Sequence, residues 1–256
     1  MYIRRLDDKV KIIRFAASAM SLTLLAAATV GAGRAQAASG DLAAFLARAK
    51  RMSTLTKPVR ADVTVTRADR STDQAILIVD PRTPGSQYMS VAASGWRSLM
   101  PLAWKPGHVV RKTSAEPKSF GPDEPIAGTD LRPMDFFAPW AQDFDTAFIS
   151  DESRLEKTVT LYAAPGTPYS LYVVTFDKAM IVPRVIKYYR GDFTNLVRLR
   201  EDSDYTMVGS RPLPQAITIH DYTENSQTGL RLKWSVLEHV PNGLLNIDTF
   251  YKTAFK

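Results

Sequence analysis

From Val59 onward apolar residues recur at every second position, and this period limits what the chain can fold into more than any motif does. Val59, Ala61, Val63 and Val65 alternate with Arg60, Asp62, Thr64 and Thr66. Successive side chains of an extended chain point to opposite faces, so the stretch reads as a strand with one buried face and one wet face. Ala75-Ile76-Leu77-Ile78-Val79 and Leu171 to Phe176 are apolar at both parities, which predicts strands covered on both sides. Turn residues punctuate the chain at hairpin spacing: Pro81 to Ser86, Pro106-Gly107, Pro165-Gly166-Thr167-Pro168, Arg190-Gly191-Asp192, Gly209 to Pro214, Ser226 to Gly229 and Pro241-Asn242-Gly243. About ten strands with short connections, and no alternation of strand with helix, predict a mainly β, largely antiparallel protein.

Two segments depart from period two. Asp41 is placed to cap a helix through about Met52, whose Leu42, Phe45, Leu46 and Ala49 share one face, with Pro58 ending helical character. The stretch from Thr113 to Gln142 is a Pro/Gly-rich loop followed by Gly128-Thr129-Asp130-Leu131-Arg132-Pro133-Met134-Asp135-Phe136-Phe137-Ala138-Pro139-Trp140. Thr129 or Asp130 can cap a short helix there, with Met134, Phe137 and Trp140 on one side. A connection of this length inside a compact domain is usually functional, and it reads as a helical lid insertion. No repeat or linker divides residues 38–256, which read as one domain.

Residues 1–37 read as a cleavable secretory signal peptide. Arg4, Arg5, Lys9, Lys11 and Arg14 form a basic n-region, Phe15 to Val30 an apolar stretch, and Ala35-Gln36-Ala37 a small-x-small cleavage site, with the cut after Ala37. Leu6-Asp7-Asp8 after the arginine pair favours the general secretory route over the twin-arginine one. The expected mature chain of 219 residues carries 27 basic and 24 acidic side chains, interspersed, where a nucleic-acid binder needs a concentrated basic stripe. No second apolar run suggests an integral membrane protein. The absence of cysteine excludes a disulfide scaffold, a thiolate metal site and a lipidated lipobox.

No catalytic constellation is visible. His220 and Asp221 are adjacent on a strand and so face opposite ways, while His108 and His239 lack ligand-type neighbours. The acids at Asp202 and Asp204, and at Asp143 and Asp145, lack the spacing and glycine of a calcium loop and read as solvated turn residues. Nucleophile-elbow, phosphate-loop and dinucleotide motifs are missing, so the chain is expected to use no metal or cofactor and not to be an enzyme. The remaining signal is a two-faced apolar sheet with an aromatic-rich insertion, which suits a lidded hydrophobic pocket. Candidate lining residues are Met134, Phe136, Phe137 and Trp140 in the lid, with Ile76, Ile78, Tyr172, Val174 and Trp234 on the sheet. Burying an acyl chain there is worth about 0.8 kcal/mol per methylene without any directed polar contact. The competing expectations are a periplasmic interaction module whose interior is only packed core, and a hydrolase whose residues are not apparent.

One further pattern points to a family. Tyr169 to Phe176 runs into Asp177-Lys178, followed by Val182-Pro183, Lys187-Tyr188-Tyr189, Val197-Arg198, Gly209-Ser210-Arg211-Pro212-Leu213-Pro214, Ile217 to Asp221 and Tyr251-Lys252. This order, with Gly128-Thr129-Asp130-Leu131 leading into the insertion, resembles the outer-membrane lipoprotein-sorting (LolA-like) proteins. The resemblance implies a half-open antiparallel β-barrel closed by helices over a hydrophobic cavity. It also implies carriage of lipid or lipoprotein acyl chains across the periplasm toward the outer membrane, often with an inner-membrane lipid exporter of the resistance-nodulation-division type as partner. An arginine near the pocket mouth helps set lid closure in the family's lipoprotein carrier, and Arg82 in Asp80-Pro81-Arg82-Thr83-Pro84 is the candidate here.

Overall fold

The computed structural model describes residues 40–82, 86–92, 95–101, 107–111, 117–126, 129–136, 138–141 and 144–252. The signal-peptide reading of residues 1–37 lies outside the described residues, as does Phe137. Residues 40–53 form helix α1. Its Leu42, Leu46 and Ala49 are buried and Phe45 partly so, following the apolar spacing of three and four. Side chains close its last turn, where carbonyls run out of helical partners: Ser53 Oγ donates to the Ala49 carbonyl at 3.0 Å and Thr54 Oγ1 to that of Lys50 at 2.7 Å.

Among the described residues thirteen strands follow: β1 Val59–Thr66, β2 Thr72–Asp80, β3 Ser86–Val91, β4 Trp96–Pro101, β5 Gly107–Arg111, β6 Lys118–Phe120, β7 Phe144–Glu152, β8 Glu156–Ala163, β9 Leu171–Asp177, β10 Val182–Tyr189, β11 Leu196–Val208, β12 Arg211–Asp221 and β13 Ser226–Val236. They make one antiparallel sheet in the order β6-β5-β4-β3-β2-β1-β13-β12-β11-β10-β9-β8-β7. Its outer strands β6 and β7 do not pair, so the sheet is open. The count exceeds the expected ten partly because β4 to β6 are short, with β6 inside the stretch read as loop. Another correction concerns Ser226 to Gly229, which begin β13. The reversal falls just before them, with Asn225 at a φ of 49°, a left-handed conformation that asparagine tolerates.

Cross-strand register explains how the core divides. Leu77 and Val79 of β2 face inward with Ala61, Val63, Met89, Ile217, Leu230 and Leu232. Ile78 faces the other way, with Tyr88 and Leu99, onto Leu244 and Phe250 of the C-terminal segment. Arg97 Nη1 ties this segment down by donating to the Tyr251 carbonyl at 2.6 Å. The expectation that β2 is covered on both sides therefore holds. For β9 it does not: Tyr172, Val174 and Phe176 pack under α1, but Val173 and Thr175 on the opposite face are only half-buried. Among the described residues the C-terminal segment packs on β2 to β4.

Among its described residues the insertion holds two 3₁₀ turns, Pro133–Phe136 and Pro139–Ala141, where a single short helix was expected. Each begins at a proline. Pro139 lacks the N–H a continuing helix would need and its ring clashes with the preceding turn, so the two cannot merge.

Candidate functional site

A groove of about 330 Å³ opens between the end of α1, the 3₁₀ turns and the inner face of β2, β3, β12 and β13. Its walls are mainly apolar: Leu55, Leu77, Val79, Leu213, Pro214, Ile217, Leu232 and Trp234, with Phe136, Ala138 and Ala141 from the turns. The polar lining is Lys50, Ser53, Thr54, Gln87 and Arg200. A smaller space of about 130 Å³ shares Phe136, Ala138, Arg200, Leu213 and Pro214 and extends toward Tyr205 and Trp140.

Two prolines open the sheet at this point. β12 pairs with β13 from Ala216–Arg231 to Asp221–Ser226 and no further, while Leu232 to Val236 continue to pair with β1. On its other side β12 pairs with β11 as far as Arg211, through Pro212 and Pro214. Proline has no N–H to donate, so a strand with two of them is stable where one side stays unpaired. The two strands part, and Leu213, Pro214, Leu232 and Trp234 line the gap. Trp234 spans it, its Nε1 donating to the Pro214 carbonyl at 2.8 Å.

A buried charge network fixes the insertion beside the groove. Arg198 on β11 binds Asp135 of the first 3₁₀ turn through two hydrogen bonds, Nε to Oδ1 at 3.1 Å and Nη2 to Oδ2 at 2.7 Å. Its Nη1 also pairs with Asp221 of β12. Arg132 reaches Asp221 at 2.8 Å and Asp123 at 2.8 Å, and its backbone N–H donates to Asp135 at 2.7 Å. Asp123 in turn accepts from Tyr169 at 2.7 Å and pairs with Arg190. Arg200 holds Asp202 through contacts of 2.6 and 2.7 Å and donates to the Asp135 carbonyl. Asp130 accepts from Thr228 at 2.5 Å. Charged groups this deep survive only when each is paired, and here carboxylates and guanidiniums alternate.

Burial raises the Asp135 carboxyl above its ordinary range, more than Arg198 and the Arg132 N–H lower it. Burial also raises Asp221, but the Thr223 hydroxyl, Arg198 and Arg132 outweigh it and leave that carboxyl below its ordinary value. A lowered carboxyl adds stability above roughly pH 4 that disappears as pH falls through its native value. The stability gap between wild type and Asp221→Asn, measured by urea unfolding, should therefore shrink between pH 7 and pH 3. A constant gap would show that the charge of Asp221 contributes nothing.

The expected site residues divide among several places. Phe136 and Trp234 line the groove. Ile76 and Ile78 do not, since on β2 the inward parity belongs to Leu77 and Val79 and the isoleucines pack toward the C-terminal segment. Met134, Tyr172 and Val174 lie buried with Trp140 in the cluster under α1. Trp140 stacks edge-on against Phe176 at 5.1 Å and donates to Ser53 Oγ at 3.2 Å. Arg82, itself exposed, pairs with the buried Asp80 at the end of β2, to which it also donates its backbone N–H. Asp202, read as a solvated turn acid, is buried, whereas Asp204 is exposed and pairs with Arg231 at 2.7 Å. His220 and Asp221 do face opposite ways, the first toward Glu201 and the second into the network. Among the described residues no group of three acids or histidines is placed to hold a metal ion, and no helix is long and apolar enough to cross a membrane.

Neither a family model nor a curated protein matches the sequence. Solved structures do match the fold. An outer membrane lipoprotein-sorting protein domain from Vibrio parahaemolyticus superposes with a TM-score of 0.68 at 11% identity, covering 81% of this chain and 97% of that one. A DUF1329 family protein from Desulfovibrio piger gives 0.64 at 12% identity, covering 79% and 94%. A LolA superfamily protein from Nitrosomonas europaea gives 0.60 at 14% identity, covering 79% and 96%. The chain therefore has the LolA-like fold that the sequence pattern suggested.

Proposed function

We propose that this protein is a periplasmic carrier that shields the acyl chain of a lipid or lipoprotein in the groove beneath the 3₁₀ turns and takes part in its transport toward the outer membrane, with no covalent chemistry. The observation that carries the reading is the groove itself: an apolar channel about 330 Å³ in volume, within the size range of small-molecule sites, in a fold shared with a lipoprotein-sorting domain. The 3₁₀ turns act as its lid, and the export signal read in residues 1–37 accounts for the compartment. Each methylene buried contributes about 0.8 kcal/mol whatever the headgroup, which suits a carrier of varied chains.

The test is a brominated fatty acid added to protein purified without detergent. Bromine quenches tryptophan on contact, so Trp234 fluorescence should fall on binding, and Trp234→Phe should remove most of that signal. Leu213→Trp, at a half-buried position of the wall, should weaken uptake by about tenfold or more, the worth of roughly two buried methylenes. Thermal unfolding should stay cooperative. Absence of quenching together with absence of co-purifying lipid in native mass spectra would overturn the reading in favour of an interaction module with a packed interior.

A further inference from the structure

Of the five polar residues that line the groove, Lys50, Ser53 and Thr54 belong to the end of α1 and Arg200 to the charge network, which leaves Gln87 on the sheet wall. Gln87 stands on β3 in the inward row formed with Val79 of β2 and Met100 of β4. It is 1% exposed and faces the groove, and its amide nitrogen has no hydrogen-bond partner among the described residues. Inward positions beside it on the same sheet carry the buried hydrophobics Val79, Met89, Val91 and Met100. Ser98 of β4, opposite Met89, is also buried, its hydroxyl unpaired among the described residues, but it does not line the groove as Gln87 does. A buried amide donor left unpaired is costly, whereas an apolar residue of similar volume would satisfy the core at no such cost. In native proteins an orphan of this kind calls for an explanation, and a partner supplied by a ligand is one.

We infer that Gln87 is a ligand-binding residue that donates its amide hydrogens to a carbonyl oxygen at the head of the acyl chain, and so selects acylated molecules over plain hydrocarbons. The inference rests on the groove being the binding site. The surroundings fit a neutral acceptor. Of the two cations that line the groove, Arg200 is already committed to Asp202 and the Asp135 carbonyl. Lys50 comes from α1, on a different wall from β3. An ester or amide carbonyl presents an acceptor without carrying a charge into the groove, and both occur where an acyl chain is joined to a lipid or to a protein N-terminus.

The experiment compares displacement of a fluorescent fatty-acid probe by dodecane, dodecanoic acid methyl ester and N-methyl dodecanamide, in wild type and in Gln87→Met. The ratio of ester affinity to dodecane affinity, and of amide affinity to dodecane affinity, should fall by about tenfold in the variant, a hydrogen bond's worth of discrimination. Affinity for dodecane should stay the same or rise. The melting temperature should hold or increase, since the substitution removes an unpaired donor, and Gln87→Leu serves as a second apolar replacement if methionine perturbs the fold. A fall for the ester alone identifies ester-linked chains and a fall for the amide alone N-acylated ones. Ratios unchanged in both variants, with all ligands still displacing the probe, would overturn the role of Gln87 and leave the groove reading intact. Failure of every ligand and of the probe itself to bind wild type would overturn both.

Discussion

Arg198→Ala is expected to lower the unfolding free energy by about 3–5 kcal/mol, the cost of leaving a buried charge without its partner. Arg198 is 1% exposed and satisfies Asp135 and Asp221 together. Removing it leaves Asp135 on the first 3₁₀ turn with a single backbone N–H from Arg132, and takes from Asp221 one of its two guanidinium partners, so that Arg132 and the Thr223 and Glu224 donors hold it alone. For a domain of this size the melting temperature should drop by roughly 6–20 °C. Arg198→Lys should recover only part of the loss, because an ammonium cannot make the paired contacts of a guanidinium fork. Replacing Arg198, Asp135 and Asp221 together by apolar residues of similar volume should cost less than the single change. A single-variant loss under about 1 kcal/mol in urea titrations would mean the network is solvated and of the surface kind.

Trp140→Ala is expected to be of similar size, about 3–5 kcal/mol, the usual range for truncating a buried aromatic. The sequence suggested a lid residue in contact with ligand. The structure places the indole where α1, the second 3₁₀ turn and β9 meet, edge-on to Phe176, which Phe45 of α1 also meets edge-on at 5.3 Å. Losing it should detach the helix from the sheet, which near-ultraviolet circular dichroism and urea unfolding would report together. If stability is unchanged while acyl uptake disappears, Trp140 is a ligand contact after all.

These two residues show what was legible in the sequence and what was not. Helix α1 and strand β1 could be read almost residue for residue, because one buried face leaves a period in the sequence and the chain obeys it. β2 was legible as a two-faced strand, but which parity met the groove was not: Leu77 and Ile78 are alike in chemistry and differ only in register. The prolines of β12 were read as a turn signal, and their effect of parting two strands depends on which neighbour each side of β12 would otherwise have. The charge network left a trace in Arg198-x-Arg200-x-Asp202, where period two puts three charged groups on one face of a strand. What hid it was the missing half: Asp135, Asp123 and Arg132 arrive from the insertion, at sequence separations that no local pattern spans. Gln87 gave no sequence signal at all, since a polar residue in a strand normally faces water.

The parting of β12 from β13 also decides how the groove can yield. Elsewhere in the sheet, widening a gap between strands means breaking ladder hydrogen bonds in sequence. Between residues 211–215 and 232–236 no register pair joins the strands, and a side-chain hydrogen bond from Trp234 to the Pro214 carbonyl spans the gap. The wall is stiff along the strands, where β11 and β1 hold each flank in register, and compliant across them. On the carrier function proposed above, this unladdered seam is where the wall would give first, so acyl chains of different girth would be accommodated there before any ladder hydrogen bond is broken.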